Sequence, residues 1–149
     1  SAPTLVDIRA NIVHATSTSA QYADLAERYA ADTPVEAGDV VMLGGIEEIT
    51  KCEEAGSDAV FGVVSGSPAY LMNSEAGNDD THPAIALKGR VPVKVRGTGK
   101  AGDRLVSAGS GEARVATLEE ATTFNTLGRL IQDKYNEQTA LTECVIGVK

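Results

Sequence analysis

Aromatic residues are scarce in this chain: Phe, Trp and Tyr make up 4% of its 149 residues, and Trp is absent. A hydrophobic core must therefore be built from Val, Ile, Leu and Ala. Hydrophobic residues still account for 42% of the sequence, which argues against a disordered chain. Fifteen glycines indicate many tight turns between short strands. We therefore expect a folded protein that is mostly β and has an aliphatic core.

Cysteine is also rare. Cys52 and Cys144 are far apart in the sequence, and neither has a CxxC partner or a neighbouring His. This pattern is not typical of a disulfide framework or of a zinc site. We expect two reduced, buried thiols.

Positive charge and long apolar runs are both in short supply. The net charge is -8 and the pI is about 4.7, whereas binding to nucleic-acid phosphates needs a dominant positive field. No apolar run approaches the roughly 18 residues of a membrane span, and no signal peptide opens the sequence. The sequence therefore predicts no nucleic-acid partner and no membrane partner.

Catalytic and metal-binding motifs are missing as well. The stretch 97–102 is glycine-rich but leads into a strand, so no helix N-terminus follows to hold a phosphate. His14 lies among Ser and Thr residues without the members of a triad. Asp79, Asp80 and His82 lack the spacing of an EF-hand loop. We predict no catalytic, cofactor-binding or metal-binding residue, no cofactor and no enzymatic activity.

The chain divides into a leader and a body. Residues 1–19 carry Leu5, Ile8 and Ile12 in a Thr/Ser/Ala-rich setting, which predicts an extended arm with at most one short strand. Such an arm cannot bury its apolar side chains locally, so we expect it to dock on another chain. Residues 20–149 have the length of about one domain, and we expect a single β-rich domain there.

A short helix is predicted at residues 20–29. Ser19 can cap its start, and Tyr22, Leu25 and Tyr29 recur at three- and four-residue spacing. Pro34 ends the segment soon afterwards, so the helix has only about three turns and needs packing to be stable. We expect the two tyrosines and the leucine to line the body or a contact between subunits.

Two parts of the body resemble each other. The tripeptide Ala-Gly-Asp at 37–39 returns at 101–103, and each copy is followed by a strand, an acidic connection and a strand that begins with Gly. This predicts pseudo-repeats at about 37–73 and 101–135. Two such units would pack as a small β-barrel or β-clip.

A basic strand is predicted at residues 86–96. Its odd positions are apolar and its even positions are mostly basic, so one face is apolar and the other positive. In an acidic chain, such a face indicates either a charged partner or an acidic patch of its own; the alternative is a solvated face that discourages edge pairing. Pro92 cannot donate to a ladder, which predicts an edge or a bulge. The basic residues predicted at an interface are Lys88, Arg90, Lys94 and Arg96.

Several segments taken together resemble a known family. The stretches 20–29, 34–45, 62–73 and 86–106 are similar, in order, to the C-terminal domain of tailed-phage fibre and appendage proteins. Some relatives are intramolecular chaperones that trimerise a fibre and then cleave themselves off. No catalytic Ser or Glu of such a relative can be matched to this chain. The resemblance therefore implies a trimerisation domain, and self-cleavage only as a lesser alternative.

The architecture also resembles that of lambda-type head decoration, or cement, proteins. These are β-clip trimers with an extended arm that pairs onto the capsid shell. A chain of about 150 residues, if complete, suits a stand-alone decoration protein better than a fibre tip, which normally follows a long shaft. This similarity is one of fold, not of motif.

We interpret the sequence as that of a phage virion structural protein that is synthesised in the host cytoplasm and located on the particle surface. The first expectation is a trimeric head decoration protein that stabilises the capsid, and the alternative is a fibre or appendage trimerisation domain. The expected partners are two further copies of the chain and either the major capsid protein or the fibre shaft. The residues predicted at these contacts are Leu5, Ile8, Ile12, Tyr22, Leu25, Tyr29 and the four basic residues of the strand.

Overall fold

The computed structural model describes residues 4–149, and in this range the regular structure is all β. Within the same range, no helix is long or apolar enough to span a membrane. The strands are β1 (Asp24–Arg28), β2 (Val40–Leu43), β3 (Ile49–Lys51), β4 (Val60–Val64), β5 (Tyr70–Met72), β6 (Ala84–Val95), β7 (Arg104–Gly109), β8 (Glu112–Val115), β9 (Gly128–Leu130) and β10 (Ala140–Ile146).

Five of these strands close into a barrel, which confirms the predicted barrel. Hydrogen-bonded neighbours run β6, β8, β7, β9 and β10, and β10 returns to pair with β6. β6 and β8 meet at Val95 and Ala113, which closes the ring. Its interior is aliphatic, as the scarcity of aromatic residues predicted, and it includes Val91, Val93, Val95, Leu105, Leu130 and Ile146.

β6 connects the barrel to the remaining strands. Its first half pairs with β1 and β4, while its second half pairs with β10. β5 lies beyond β1, and β2 and β3 lie beyond β4. Gly89, at the centre of β6, pairs with Asp24 of β1 and also with Ile146 of β10. These two strands therefore flank β6 on opposite sides.

The two Ala-Gly-Asp turns are built alike. Gly38 and Gly102 have φ of +93° and +95°, a conformation that glycine adopts without a steric penalty. The carboxylates of Asp39 and Asp103 each accept a hydrogen bond from the backbone N–H three residues earlier. The turn chemistry explains the recurring tripeptide, whereas the wider pseudo-repeat stays a prediction.

The predicted helix at residues 20–29 is wrong, because β1 occupies its centre. Asp24 and Ala26 are buried while Leu25 between them is exposed, which is the alternation of a strand. β1 pairs in parallel with β5 and antiparallel with β6. A three-turn helix is marginal in water, whereas two neighbouring strands satisfy the backbone of this segment on both sides.

The edge or bulge predicted at Pro92 is confirmed as a local edge, because residues 90–93 of β6 pair with β10 on one side and with no strand on the other. Pro92 lies opposite Glu143 in the β6–β10 ladder. Glu143 N–H donates to Gln132 Oε1 and its carbonyl accepts from Ile131 N–H, so both groups point away from β6. The pair is therefore one that exchanges no hydrogen bond, and the missing N–H of proline costs nothing there.

Both cysteines are buried and unpaired, as expected. Cys52 Sγ lies 3.3 Å from Ser107 Oγ. Burial, followed by the nearby charge of Glu143, raises the pKa of the Cys144 thiol to about 12. Because the thiolate is the reactive form, this sulfur is inert at neutral pH.

Candidate assembly surface

The arm makes no strand between residues 4 and 19. Each residue in this range is exposed, including Leu5 at 89%, Ile8 at 83% and Ile12 at 66%. A row of exposed aliphatic side chains on one segment is unusual for a chain that acts alone. The three predicted arm residues are therefore available to a neighbour.

The outward face of β1 carries a second apolar group. Leu25 lies in register with Tyr70 of β5 on one side and with Lys88 of β6 on the other. Leu25 is 39% exposed and Tyr70 is 65% exposed. The predicted residues Leu25 and Lys88 thus lie side by side on the same surface.

A groove of about 390 Å³ adjoins this surface. Its floor is Arg90, Val91 and Pro92 of β6, which pair with β10 but have no second strand beside them. The gap lies between Asp24, which pairs with Gly89, and Gly38, whose carbonyl accepts from Lys94 N–H at 3.0 Å. The groove is a short length of open sheet edge.

The walls of the groove are partly apolar. They include the predicted residue Tyr22, which is half exposed, and Leu141 of β10. Gly38 has a φ of +93°, which favours glycine in this turn, and a Cβ there would meet the end of the Leu141 side chain. The end of β4 and the following Ser67 complete the wall.

Asp24, which also lines the groove, is the most unusual residue there. It is only 4% exposed, and its Oδ2 has no hydrogen-bond partner among residues 4–149. Leaving a buried carboxylate oxygen unpaired costs free energy, on the order of 1–3 kcal/mol or more. Asp24 Oδ2 can therefore accept a further hydrogen bond.

The alternation predicted for the basic strand is confirmed, since Val91, Val93 and Val95 are buried. Lys94 on the opposite face is half-buried and reaches two carboxylates of its own chain. The four basic side chains do not act as one group.

Lys94 and Arg96 are paired within the chain. Lys94 Nζ donates to Asp39 Oδ1 at 2.6 Å and to Glu36 Oε1 at 2.5 Å. Burial lowers the pKa of Lys94, but these hydrogen bonds outweigh it, so the net pKa lies above its usual value. Arg96 Nε donates to Glu112 Oε2 at 2.7 Å. An acidic patch of the chain itself thus meets half of the basic face.

Lys88 and Arg90 differ from the other two. Both are exposed, and neither forms an ion pair within residues 4–149. Arg90 lines the groove, while Lys88 lies beside Leu25. The structure therefore brings together Tyr22, Leu25, Lys88 and Arg90 of the predicted set.

Tyr29 lies elsewhere, because its ring packs edge-on against Phe61 with the centroids 5.2 Å apart. Its hydroxyl donates to Glu27 Oε2 at 2.6 Å. Burial, followed by this hydrogen bond, raises its pKa to about 12. Tyr29 thus contributes to the small core beneath β1, and not to the exposed surface.

Sequence reasoning missed Asp24 and Leu141. A helical reading of residues 20–29 places Asp24 on a solvated face, so only the strand assignment makes its burial visible. Leu141 stands at the exposed start of β10, where the pattern resembles that of a core strand. Among the described residues, no group of three His, Cys, Asp or Glu side chains could hold a metal ion.

The fold is similar to part of a known structure. The crystal structure of the pre-mature bacteriophage phi29 gene product 12 matches with a TM-score of 0.62 and 16% sequence identity. The likeness covers 93% of this chain and 23% of that chain, so this chain spans less than a quarter of the phage protein. At this identity the likeness shows the fold alone. No family model and no curated protein matches the sequence.

Proposed function

We propose that this chain is a structural module of a phage virion that works as a homo-oligomer, most simply a trimer. The arm carries this proposal, because its aliphatic side chains are exposed and need a neighbour. The similarity of the fold to a phage gene product supports the virion setting. Its partners would be copies of itself and the part of the particle to which it attaches, and its role would be structural and not catalytic.

Of the two locations, we favour a fibre or appendage over the capsid surface. The supporting observation is that the same fold forms 23% of a longer phage protein, so a domain of this kind is used within a longer chain. Head decoration is the second candidate, and the extended arm favours it. In that case the arm would pair onto the major capsid protein.

The copy number per purified virion separates these locations. An appendage domain should be present in a few copies and a decoration protein in many. Absence of the chain from mature particles would contradict both assignments and would favour a chaperone that is removed after assembly.

Deleting residues 2–13 tests the oligomeric role. The arm contributes no strand to the body, so we expect the shortened chain to fold with an unchanged circular-dichroism spectrum. We expect it to lose association, because about 0.8 kcal/mol per buried CH₂ is then no longer available. Sedimentation should show a monomer. A shortened chain with the same mass as its parent would overturn the proposed role of the arm.

A further inference from the structure

A second cavity lies apart from the groove beside β6. Its volume is about 500 Å³, and it shares no lining residue with that groove. Its walls come from the turn before β7, the end of β8 and the loop 116–126. Cavities of roughly 300–1,000 Å³ are the size that small ligands occupy.

Two arginines lie side by side at this cavity. Arg104 of β7, which lines the cavity, is directly opposite Arg129 of β9 in the ladder. Like charges in directly opposite positions of neighbouring strands are destabilising. Neither arginine forms an ion pair with an acidic side chain within residues 4–149. Arg129 Nε donates to the backbone oxygen of Lys149 at 2.7 Å, which holds its charge beside that of Arg104.

The lining keeps a net positive charge in a chain whose net charge is -8. Its cations are Arg104 and Lys149, and its acid is Asp103. Asp103 Oδ2 accepts a hydrogen bond from Lys100 N–H at 2.9 Å, so this carboxylate is held in its own turn. One negative charge therefore faces two positive charges in the lining, with Arg129 adjacent.

Three threonine hydroxyls of the lining supply further donors. Thr117 Oγ1 accepts from Glu120 N–H, and Thr122 Oγ1 accepts from two backbone N–H groups of its own turn. A hydroxyl that accepts in this way keeps its proton for another acceptor. The hydroxyl of Thr123 has no hydrogen-bond partner among residues 4–149. The cavity thus combines cations with hydroxyl donors.

The loop that carries these threonines is held by its own contacts. Arg114 donates to both carboxylate oxygens of Glu120, and Glu120 Oε1 also accepts from Thr117 N–H. Asn125, which is 7% exposed, accepts from Thr122 N–H and donates to the carbonyl of Glu120. Donors that are already in position lose little conformational entropy when a ligand binds.

We propose that this cavity binds the phosphate group of a small phosphate monoester, with Arg104 and Lys149 as the cations and the three threonine hydroxyls as further donors. A phosphate monoester carries a charge of about -1.5 to -2 at neutral pH and three acceptor oxygens, which suits this set better than a carboxylate with one charge. The guanidinium group binds phosphate through paired N–H groups. The rest of the volume leaves room for the esterified group. This site does not depend on the proposed oligomeric role.

Calorimetric titration of the full chain with methyl phosphate, at constant ionic strength in chloride, tests the site. We expect saturable binding with one site per chain. Dimethyl phosphate has a single charge and should bind at least about tenfold more weakly, because charge-assisted hydrogen bonds are the strong ones. No saturable binding of methyl phosphate, or equal binding of the two esters, would overturn the proposal.

Three variants identify the donors. Arg104→Gln should weaken the binding of methyl phosphate at least about tenfold. Thr123→Val keeps the shape of the side chain, removes only the hydroxyl, and should weaken binding several-fold. The matched control Lys88→Gln removes a positive charge from an exposed residue outside the cavity and should bind as the parent does. Equal losses for the control and Arg104→Gln would mean that the net charge alone attracts the ester, which overturns the site.

The melting temperature without phosphate separates a ligand site from a structural role. Removing one of two opposed positive charges should leave the melting temperature of Arg104→Gln at or above that of the parent. A lower melting temperature together with unchanged binding would show that Arg104 serves the fold, which contradicts the proposal. Tighter binding of a phosphoserine peptide than of methyl phosphate would show that the occupant is a protein, which overturns the assignment to a small molecule.

Discussion

Lys94 lies on β6 and Arg96 directly follows its end, yet their ion pairs differ in burial. Lys94 pairs with Asp39, whose side chain is 1% exposed, whereas Arg96 is itself 47% exposed. Removing the partner of a buried charge is costly, while an exposed pair contributes little. Position in the fold, and not residue type, decides what each basic residue does.

The variant Lys94→Met tests this difference. It leaves the carboxylate of Asp39 with the Glu36 N–H and with Lys51 Nζ at 3.8 Å, so we expect a loss of about 3 kcal/mol in the free energy of unfolding. The matched variant Arg96→Met should lose less than about 1 kcal/mol. Urea denaturation at one protein concentration measures both, and equal losses would contradict the assignment.

At the scale of the element, β1 shows which part of the fold the sequence predicts and which it does not. The strand at 84–95 was predictable because its alternation of valine with charge runs over many residues. β1 has five residues, and Leu25 with the flanking Tyr22 and Tyr29 fits a helical spacing as well as a strand. Its conformation is decided by β5 and β6, which are distant in sequence, so tertiary pairing overrides the local pattern.

Two neighbouring substitutions in β1 distinguish the strand from the helix. Ala26 is fully buried between β5 and β6, so Ala26→Asp should cost about 3 kcal/mol or more by burying an unpaired charge. Leu25→Asp lies on the exposed face and should leave the stability of the subunit within about 0.5 kcal/mol while weakening association. Thermal melts of the arm-deleted body and sedimentation of the full chain report the two effects. A larger loss for Leu25→Asp would favour the helix.

At the scale of the molecule, the candidate surface combines apolar side chains with two positive charges that have no ion-pair partner among residues 4–149. The sequence predicted the members of this surface singly, from charge alternation and exposed aliphatic residues. It could not predict their grouping, because Tyr22 and Arg90 line one groove only through the pairing of β1 with β6. The open edge beside Pro92 could not be predicted either, because it depends on where the neighbouring strands end.

The charges of this surface predict how association depends on salt. Screening shortens the reach of exposed charges from about 10 Å at 0.1 M salt to about 3 Å at 1 M, so association should weaken with salt but persist through apolar contacts. The double variant Lys88→Glu with Arg90→Glu should dissociate the protein. Lys100→Glu with Arg104→Glu changes the net charge equally, away from this surface, and should not. Light scattering over a salt series measures the molecular mass of both double variants. Identical masses would mean that this face is only solvated.

The pairing of Gly89 with both Asp24 and Ile146 determines how the body would carry a mechanical load. The arm leaves β1 beside Gly89, and the chain leaves β10 on the other side of the same residue, so the two exits are about 10 Å apart. Tension between them acts across β6, parallel to the hydrogen bonds of both ladders. Each ladder then opens from its end, one residue pair after another, so the hydrogen bonds break sequentially. By contrast, tension along a strand that lies lengthwise on a sheet edge would load all of its interstrand hydrogen bonds at once, in shear.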